Sequence, residues 1–154
     1  MRVSELTRPL LLGVATGCRS SLGMAGVSFG DRRRGAPRAL DAVQSRWGRV
    51  ATGTLVIGEL VVDKMPSAPS RMATQAFVPR LVLGATGGAA LAWRGGNNRP
   101  AAALAGLAGA ALGSWAGLWC RTAVKERGLP DLPVAIAEDA AALALAAAAG
   151  RARR

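Results

Sequence analysis

The chain has 154 residues, of which 51% are hydrophobic and 4% aromatic, with 20 basic and 9 acidic residues and no histidine. Without histidine, and with two cysteines, the sequence excludes Ser-His and Cys-His triads and metal sites built on His or Cys. A formal net charge of +11 suits a nucleic-acid-binding protein, but the basic residues flank apolar blocks and aromatics for base stacking are few. We therefore expect a lipid bilayer as the partner, no nucleic acid and no cofactor.

Five apolar blocks, rich in glycine and alanine, alternate with short polar segments. A helix needs about 20 apolar residues to cross a bilayer, so the blocks predict an all-α, polytopic transmembrane bundle of about five short helices. We expect one domain over residues 1–154. The expected helices cover residues 9–29, 50–65, 76–93, 100–120 and 134–150, and a basic linker covers residues 30–49.

The first block is interrupted by Arg19 and is preceded by Arg8. Its leucine-rich core, followed by Cys18, faintly resembles a lipoprotein signal peptide. That core is short, and Ala15 stands where a larger aliphatic residue is usual. We therefore expect an uncleaved first helix.

Acidic residues lie inside two of the apolar blocks, where random placement would put them in loops. Glu59 and Asp63 are four residues apart, so they share one face of the second helix. Glu138 and Asp139 are adjacent and diverge by about 100° around the last helix. Each charge at mid-bilayer costs roughly 2.5–3.5 kcal/mol, so opposite charges are expected to offset them.

These acids predict a charged cluster inside the bundle. Arg19, Glu59, Asp63 and Arg80 are expected to converge there with at least one of the two last acids. The full expected cluster is Arg19, Glu59, Asp63, Lys64, Arg71, Arg80, Glu138 and Asp139. Two interpretations stay open: a proton or ion relay or polar ligand site, and an ion-pair lock that holds the helices in one arrangement.

Small residues recur every four positions in the fourth block, in the manner of a glycine zipper. The stripe is Ala101, Ala105, Gly109, Gly113 and Gly117, with a weaker repeat at Gly84 and Gly88. Such a stripe lets a neighbouring backbone approach closely. Packing within the chain is favoured over the alternative, a homo-oligomer or pore.

Basic residues in the loops predict an orientation. With five spans, the side carrying residues 30–49, the loop near Arg99 and the C-terminal arginines holds the larger number of basic residues. This side is expected to be cytoplasmic and to contact anionic lipids, in a multi-pass protein of the inner (plasma) membrane. The N-terminus is then outside and the C-terminus inside.

Several of these residues form a recurring pattern. The residues are Gly17-Cys18-Arg19, Glu59 with Asp63-Lys64 and Pro66, Pro79-Arg80, and Glu138-Asp139 after Pro133. The set resembles the short form of the DUF4126 family of bacterial integral membrane proteins over nearly the whole chain. Asp131-Leu132-Pro133 differs from the Asn-Pro often found there. The resemblance implies a polytopic membrane protein with no assigned activity, in which the marked residues form a linked set.

Three functions remain open at this point. One is a transporter- or channel-like protein whose intramembrane charges line a polar path. Another is a structural or assembly protein whose buried ion pairs lock the bundle. The third is a membrane enzyme acting on lipid head groups, with carboxylates holding Mg²⁺ or Mn²⁺. No established catalytic motif supports the enzyme, so we rank it last.

Overall fold

The computed structural model describes residues 3–30, 36–62, 74–95, 98–128 and 131–151. Within these ranges the chain forms seven α-helices and no strand, which confirms the all-α class. The helices are α1 (Val3–Cys18), α2 (Ser20–Ser28), α3 (Arg38–Gln44), α4 (Arg46–Val62), α5 (Thr74–Gly95), α6 (Arg99–Glu126) and α7 (Asp131–Gly150).

Three predicted elements differ from the structure. The single helix expected over residues 9–29 is two helices, because Arg19 has an extended backbone with φ −144° and ψ 118°. The linker expected over residues 30–49 contains α3 and the first turn of α4. The helix expected to end at residue 120 continues to Glu126, because four of the next six residues, Arg121, Ala123, Lys125 and Glu126, favour helix. The predicted last turn of the second helix, residues 63–65, lies outside the described residues.

The break at Arg19 turns α1 and α2 into a helical hairpin. A Cβ atom added to Gly23 would meet the side chain of Thr16, and one added to Gly26 would meet Leu12. Residues farther from Arg19 on α2 thus meet residues farther from Arg19 on α1. Helix α2 therefore runs back along α1. With a rise of 1.5 Å per residue, the nine residues of α2 return only about 13.5 Å.

The helices α1, α5 and α6 pack so closely that their backbones touch. A Cβ atom added to Gly13 or to Gly84 would overlap the carbonyl oxygen of Gly106. One added to Gly113 would overlap the carbonyl oxygen of Val14, and one added to Gly88 would overlap that of Ala102. Only glycine at these positions allows such an approach, as in tightly packed membrane helices.

The predicted stripe on α6 is therefore used within the chain. Gly109, Gly113 and Gly117 are buried, whereas Ala101 and Ala105 are half-buried. The contact face of α6 is broader than the stripe. It also includes Ala102, Gly106, Ala110 and Ser114.

Small side chains fill the interior, and large apolar side chains lie outside it. Arg19 is the largest fully buried side chain in the described residues. Sixteen large hydrophobic side chains are exposed there, among them Trp115 at 60% and Trp119 at 63%. Among the described residues, the buried apolar residues larger than alanine are Pro9, Leu12, Leu22, Val27, Leu40 and Leu91.

Two helices are long and apolar enough to cross a membrane. They are α6, whose most apolar 18-residue stretch has a mean hydropathy of 1.5, and the Pro133–Gly150 part of α7, with 1.4. Phe77–Trp93 in α5 is a shorter apolar segment. The described residues thus contain two candidate spans by length and composition, fewer than the expected five.

The bundle has an arginine-rich end, at which α1 begins and α7 ends. The Arg8 side chain joins these two helices, because its Nε and Nη2 donate hydrogen bonds to the Ala149 carbonyl at 3.0 and 2.8 Å. The start of α1 and the end of α7 therefore lie at the same end of the bundle, whereas the five expected spans would place them at opposite ends. The described basic residues in or beside the helix termini there are Arg8, Arg38, Arg46, Arg49, Arg94, Arg99 and Arg151.

Candidate functional site

The tip of the α1–α2 hairpin carries a buried ion pair. Arg19 is 1% exposed, and its Nε and Nη2 both donate to Asp139 Oδ1, at 2.8 and 2.5 Å. The Arg19 Nη1 atom also donates to the Glu59 carbonyl at 3.4 Å. Asp139 is 8% exposed and lies near the middle of α7. One side chain therefore ties the hairpin to α7 and α4.

The Glu59 carboxylate receives the first amides of α2. Its Oε1 accepts from the Ser20 amide at 2.8 Å, and its Oε2 accepts from the Ser21 amide at 2.8 Å and from Ser21 Oγ at 2.5 Å. The first amides of a helix have no partner within the helix and carry a partial positive charge. Glu59 satisfies two of them and places a negative charge at the favourable end of α2.

The backbone of Arg19, between α1 and α2, is hydrogen-bonded to both helices. The Arg19 amide donates to the Ala15 carbonyl at 2.9 Å and completes α1, and its carbonyl accepts from the Leu22 amide at 3.1 Å. The only non-helical residue at the tip is thereby hydrogen-bonded on both sides. An interruption of this kind is tolerated away from water when each freed backbone group finds a partner.

The space beside the cluster is too small for water. A void lined by Arg19, Asp139, Ser21 and apolar residues of α4 and α7 has no volume available to a water-sized sphere. The apolar residues are Leu22, Val56, Leu60 and Leu143. The charged groups here face protein donors and acceptors.

Two more of the predicted cluster residues lie within the described ranges. Arg80 is also buried, at 4% exposure, on α5 one turn before Gly84. Glu138 points away from Asp139 and lies 3.5 Å from Arg121 Nε of α6, with side chains 13% and 27% exposed. One acid of the adjacent pair thus faces the interior. Asp63, Lys64 and Arg71 lie outside the described residues.

Sequence reasoning missed the groups that complete the cluster. Ser20 and Ser21 supply its donors, and Arg121 pairs with Glu138 from beyond the predicted end of the fourth helix at residue 120. Two adjacent serines directly after an arginine inside an apolar block are a usable signal, because serine favours helix starts. Arg121 carries no comparable signal, since its pairing depends on how far α6 extends.

The carboxylates do not gather into a ligand set. Within residues 3–30, 36–62, 74–95, 98–128 and 131–151, no group of three or more His, Cys, Asp or Glu side chains is placed to hold a metal ion. No known family profile matches the chain, and it has no significant match among curated proteins or solved structures.

Proposed function

We propose that the chain is a multi-pass protein of the bacterial inner (plasma) membrane, with a structural or assembly role. In this arrangement α4, α5, α6 and α7 cross the bilayer, and the α1–α2 hairpin is re-entrant. The observation that carries the membrane location is the distribution of side-chain sizes: small residues are buried between the helices, and large apolar residues are exposed. Soluble monomers rarely expose large contiguous apolar patches, whereas a lipid-facing surface requires them and places small residues between helices.

The α1–α2 hairpin also supports a membrane location. Non-helical backbone occurs at membrane depth only where its polar groups are satisfied within the protein. Arg19 is the single non-helical residue at the tip, and Glu59 accepts the amides that the break leaves unpaired. The 17 residues of α4 span about 25 Å, which a bilayer accommodates by local thinning.

The arginine-rich end gives the proposed orientation. Seven arginines lie there among the described residues, and the opposite helix ends carry Arg121, Lys125 and Arg127. The positive-inside rule then places the arginine-rich end, with both the start of α1 and the end of α7, in the cytoplasm. Anionic lipids are the expected partners at this surface. The resemblance to the DUF4126 family is part of the same proposal.

The cluster's closed geometry favours a lock over a transport path. Arg19 is committed to Asp139, and both Glu59 oxygens accept hydrogen bonds. The adjacent void admits no water. A lock of this kind fixes the hairpin against two other helices, and a rigid bundle in turn presents one constant surface to other membrane components.

A transporter-like function is the second candidate, favoured by the discontinuous helix. Transporters often direct the N-terminus of a half-helix at an anionic group near the bilayer midplane. Here α2 points its N-terminus at Glu59. On this alternative, protonation of Glu59 would release α2 and open the site.

Cysteine accessibility tests the topology. On a Cys18→Ala, Cys120→Ala background, we expect Glu5→Cys, Arg38→Cys and Arg151→Cys to react from the cytoplasmic side. Arg127→Cys should react from the other side. Labelling of residues 5 and 151 from opposite sides would contradict the re-entrant hairpin.

Flux measurements in liposomes distinguish the two functions. For a lock, proton and cation flux should equal that of empty vesicles, and Asp139→Asn should lower the melting temperature in detergent. Arg121→Gln is the control, because its ion pair is partly exposed. A proton or ion flux that is lost in folded Glu59→Gln and kept in Arg121→Gln would replace the lock by the transporter.

A further inference from the structure

A groove on the arginine-rich end is separate from the charged cluster. It lies between α2, α3 and α5, has a volume of about 370 Å³, and opens outward. Gly87, Ala90 and Leu40 are among the apolar residues that line it, and Trp93 and Arg99 complete the lining. The volume is within the range of ligand pockets, about 300–1,000 Å³.

We propose that this groove binds one acyl chain of an anionic glycerophospholipid, with its phosphate held by Arg99. The inference rests on the proposed membrane location and orientation. Arg99 is exposed and is the first residue of α6, and the exposed Arg38 begins α3, which forms another wall of the groove. Arg99 therefore places a positive charge at the groove, where the head group of a cytoplasmic-leaflet lipid would lie.

The lining of the groove favours an acyl chain over a helix of a second copy. An acyl chain is narrower and fits among small residues such as Gly87 and Ala90. Trp93 at the groove suits the same placement, because tryptophan prefers the boundary between lipid tails and head groups.

Fluorescence quenching by brominated lipids tests the proposal. A variant with Trp47, Trp115 and Trp119 replaced by Phe keeps Trp93 as the only fluorophore, and a companion variant keeps Trp115 alone. Both are reconstituted in vesicles that contain acyl-brominated phosphatidylglycerol or acyl-brominated phosphatidylcholine. We expect the anionic lipid to occupy the Trp93 site about fivefold more than the zwitterionic lipid, equivalent to roughly 1 kcal/mol for one arginine near the surface.

Matched variants test the phosphate contact and the acyl-chain groove separately. Arg99→Gln should bring the Trp93 preference close to one, and Arg127→Gln, at the opposite end, should leave it unchanged. Thr86→Phe fills the groove and should reduce quenching by both lipids. Val78→Phe, on the same helix and exposed but outside the groove lining, should not.

The outcomes separate failure of the groove from failure of the membrane proposal. Equal quenching of Trp93 by both lipids overturns the groove proposal, and so does a preference for the anionic lipid that persists in Arg99→Gln. In either case, quenching of Trp115 would still support the membrane location. Trp93 unquenched by either lipid, together with cross-linking between copies at Thr86→Cys, assigns the groove to a second copy and also overturns it. If neither tryptophan is quenched and the protein does not float with the vesicles, the membrane location itself fails.

Discussion

Where α1, α5 and α6 meet, the helices touch through their backbones, whereas α2 is joined to α4 and α7 through charges and hydrogen bonds. In the first region Gly13 and Gly84 both contact Gly106. The second depends on Arg19 and Glu59. Both regions bury little large apolar surface, so each must gain stability from another source.

The lengths of the helices explain the difference. α5 and α6 have 22 and 28 residues, so many weak dispersion contacts can add along their common face. α2 has nine residues, and an isolated helix shorter than about 12 residues is marginal. A short returning helix gains few such contacts, and strong localised hydrogen bonds replace them. We therefore expect substitutions in the two regions to differ in how much stability they cost and in how far along the bundle their effects extend.

Breaking the ion pair should have the largest effect. Asp139→Asn leaves Arg19 buried without its counter-charge, and removal of one member of a buried pair costs about 3–5 kcal/mol. Glu138→Gln, at the adjacent position, should cost less, because its pair with Arg121 is longer, at 3.5 Å, and less buried. Thermal unfolding in detergent measures both.

The double variant Arg19→Met, Asp139→Leu sharpens the result. Apolar residues of similar volume often replace a buried ion pair at little cost. Recovery of most of the lost stability is expected for a lock. If Asp139→Asn and Glu138→Gln melt at the same temperature, the pair does not hold the hairpin.

Filling the glycine interface should have the second largest effect. Gly113→Leu would place a side chain against the Val14 carbonyl and force α1 away from α6. Overpacking of this kind costs about 1–3 kcal/mol or more. Leu112→Ala removes a side chain that is 55% exposed, so about 0.5 kcal/mol or less is expected. Equal thermal stability of the two variants would remove the contrast between a packed and an exposed side of α6.

Parts of this architecture follow from the sequence by local rules. The cost of charges in apolar blocks singles out Arg19, Glu59 and Asp139, and the structure places these three together. The apolar blocks also locate α5 and α7 to within a few residues. These inferences succeed because burial cost and hydropathy depend on the residue and its near neighbours.

The hairpin could not be predicted because its cause is distant in sequence. Residues 9–29 contain no proline after Pro9, so the pattern reads as one helix. The break at Arg19 is stabilised by Glu59, 39 residues from Ser20, and by Asp139, 120 residues from Arg19. The same limitation hid which of Glu138 and Asp139 faces inward, since neighbouring positions on a helix differ only through tertiary contacts.

Neutralising Glu59 should have a smaller and more local effect. Glu59→Gln keeps one acceptor oxygen but replaces the other by a donor, so one amide of Ser20 or Ser21 loses its partner. An unsatisfied buried donor costs about 1–3 kcal/mol. Hydrogen exchange at the start of α2 should accelerate, while exchange in α6 stays the same. Glu126→Gln, on an exposed part of α6, is the control. Unchanged exchange at Ser20 and Ser21 would show that Glu59 does not hold the hairpin.

Removing the Arg8 contact should have the smallest effect on stability. This contact lies at the arginine-rich end of the bundle. Arg8 lies on α1, and its guanidinium binds the Ala149 carbonyl, one of the last four carbonyls of α7 that have no partner within the helix. A cation near a helix C-terminus contributes about 0.3–1 kcal/mol.

For Arg8→Gln we therefore expect a fall in stability of about 1 kcal/mol and faster exchange in the last turn of α7. Arg38→Gln, exposed at the same end, controls for the loss of charge alone. The ion pair at Asp139 lies ten residues from Ala149, about 15 Å along α7, so the hairpin should remain in place. If Arg8→Gln destabilises the bundle as much as Asp139→Asn, then the link at the arginine-rich end, and not the charged cluster, is what holds α1 against α7.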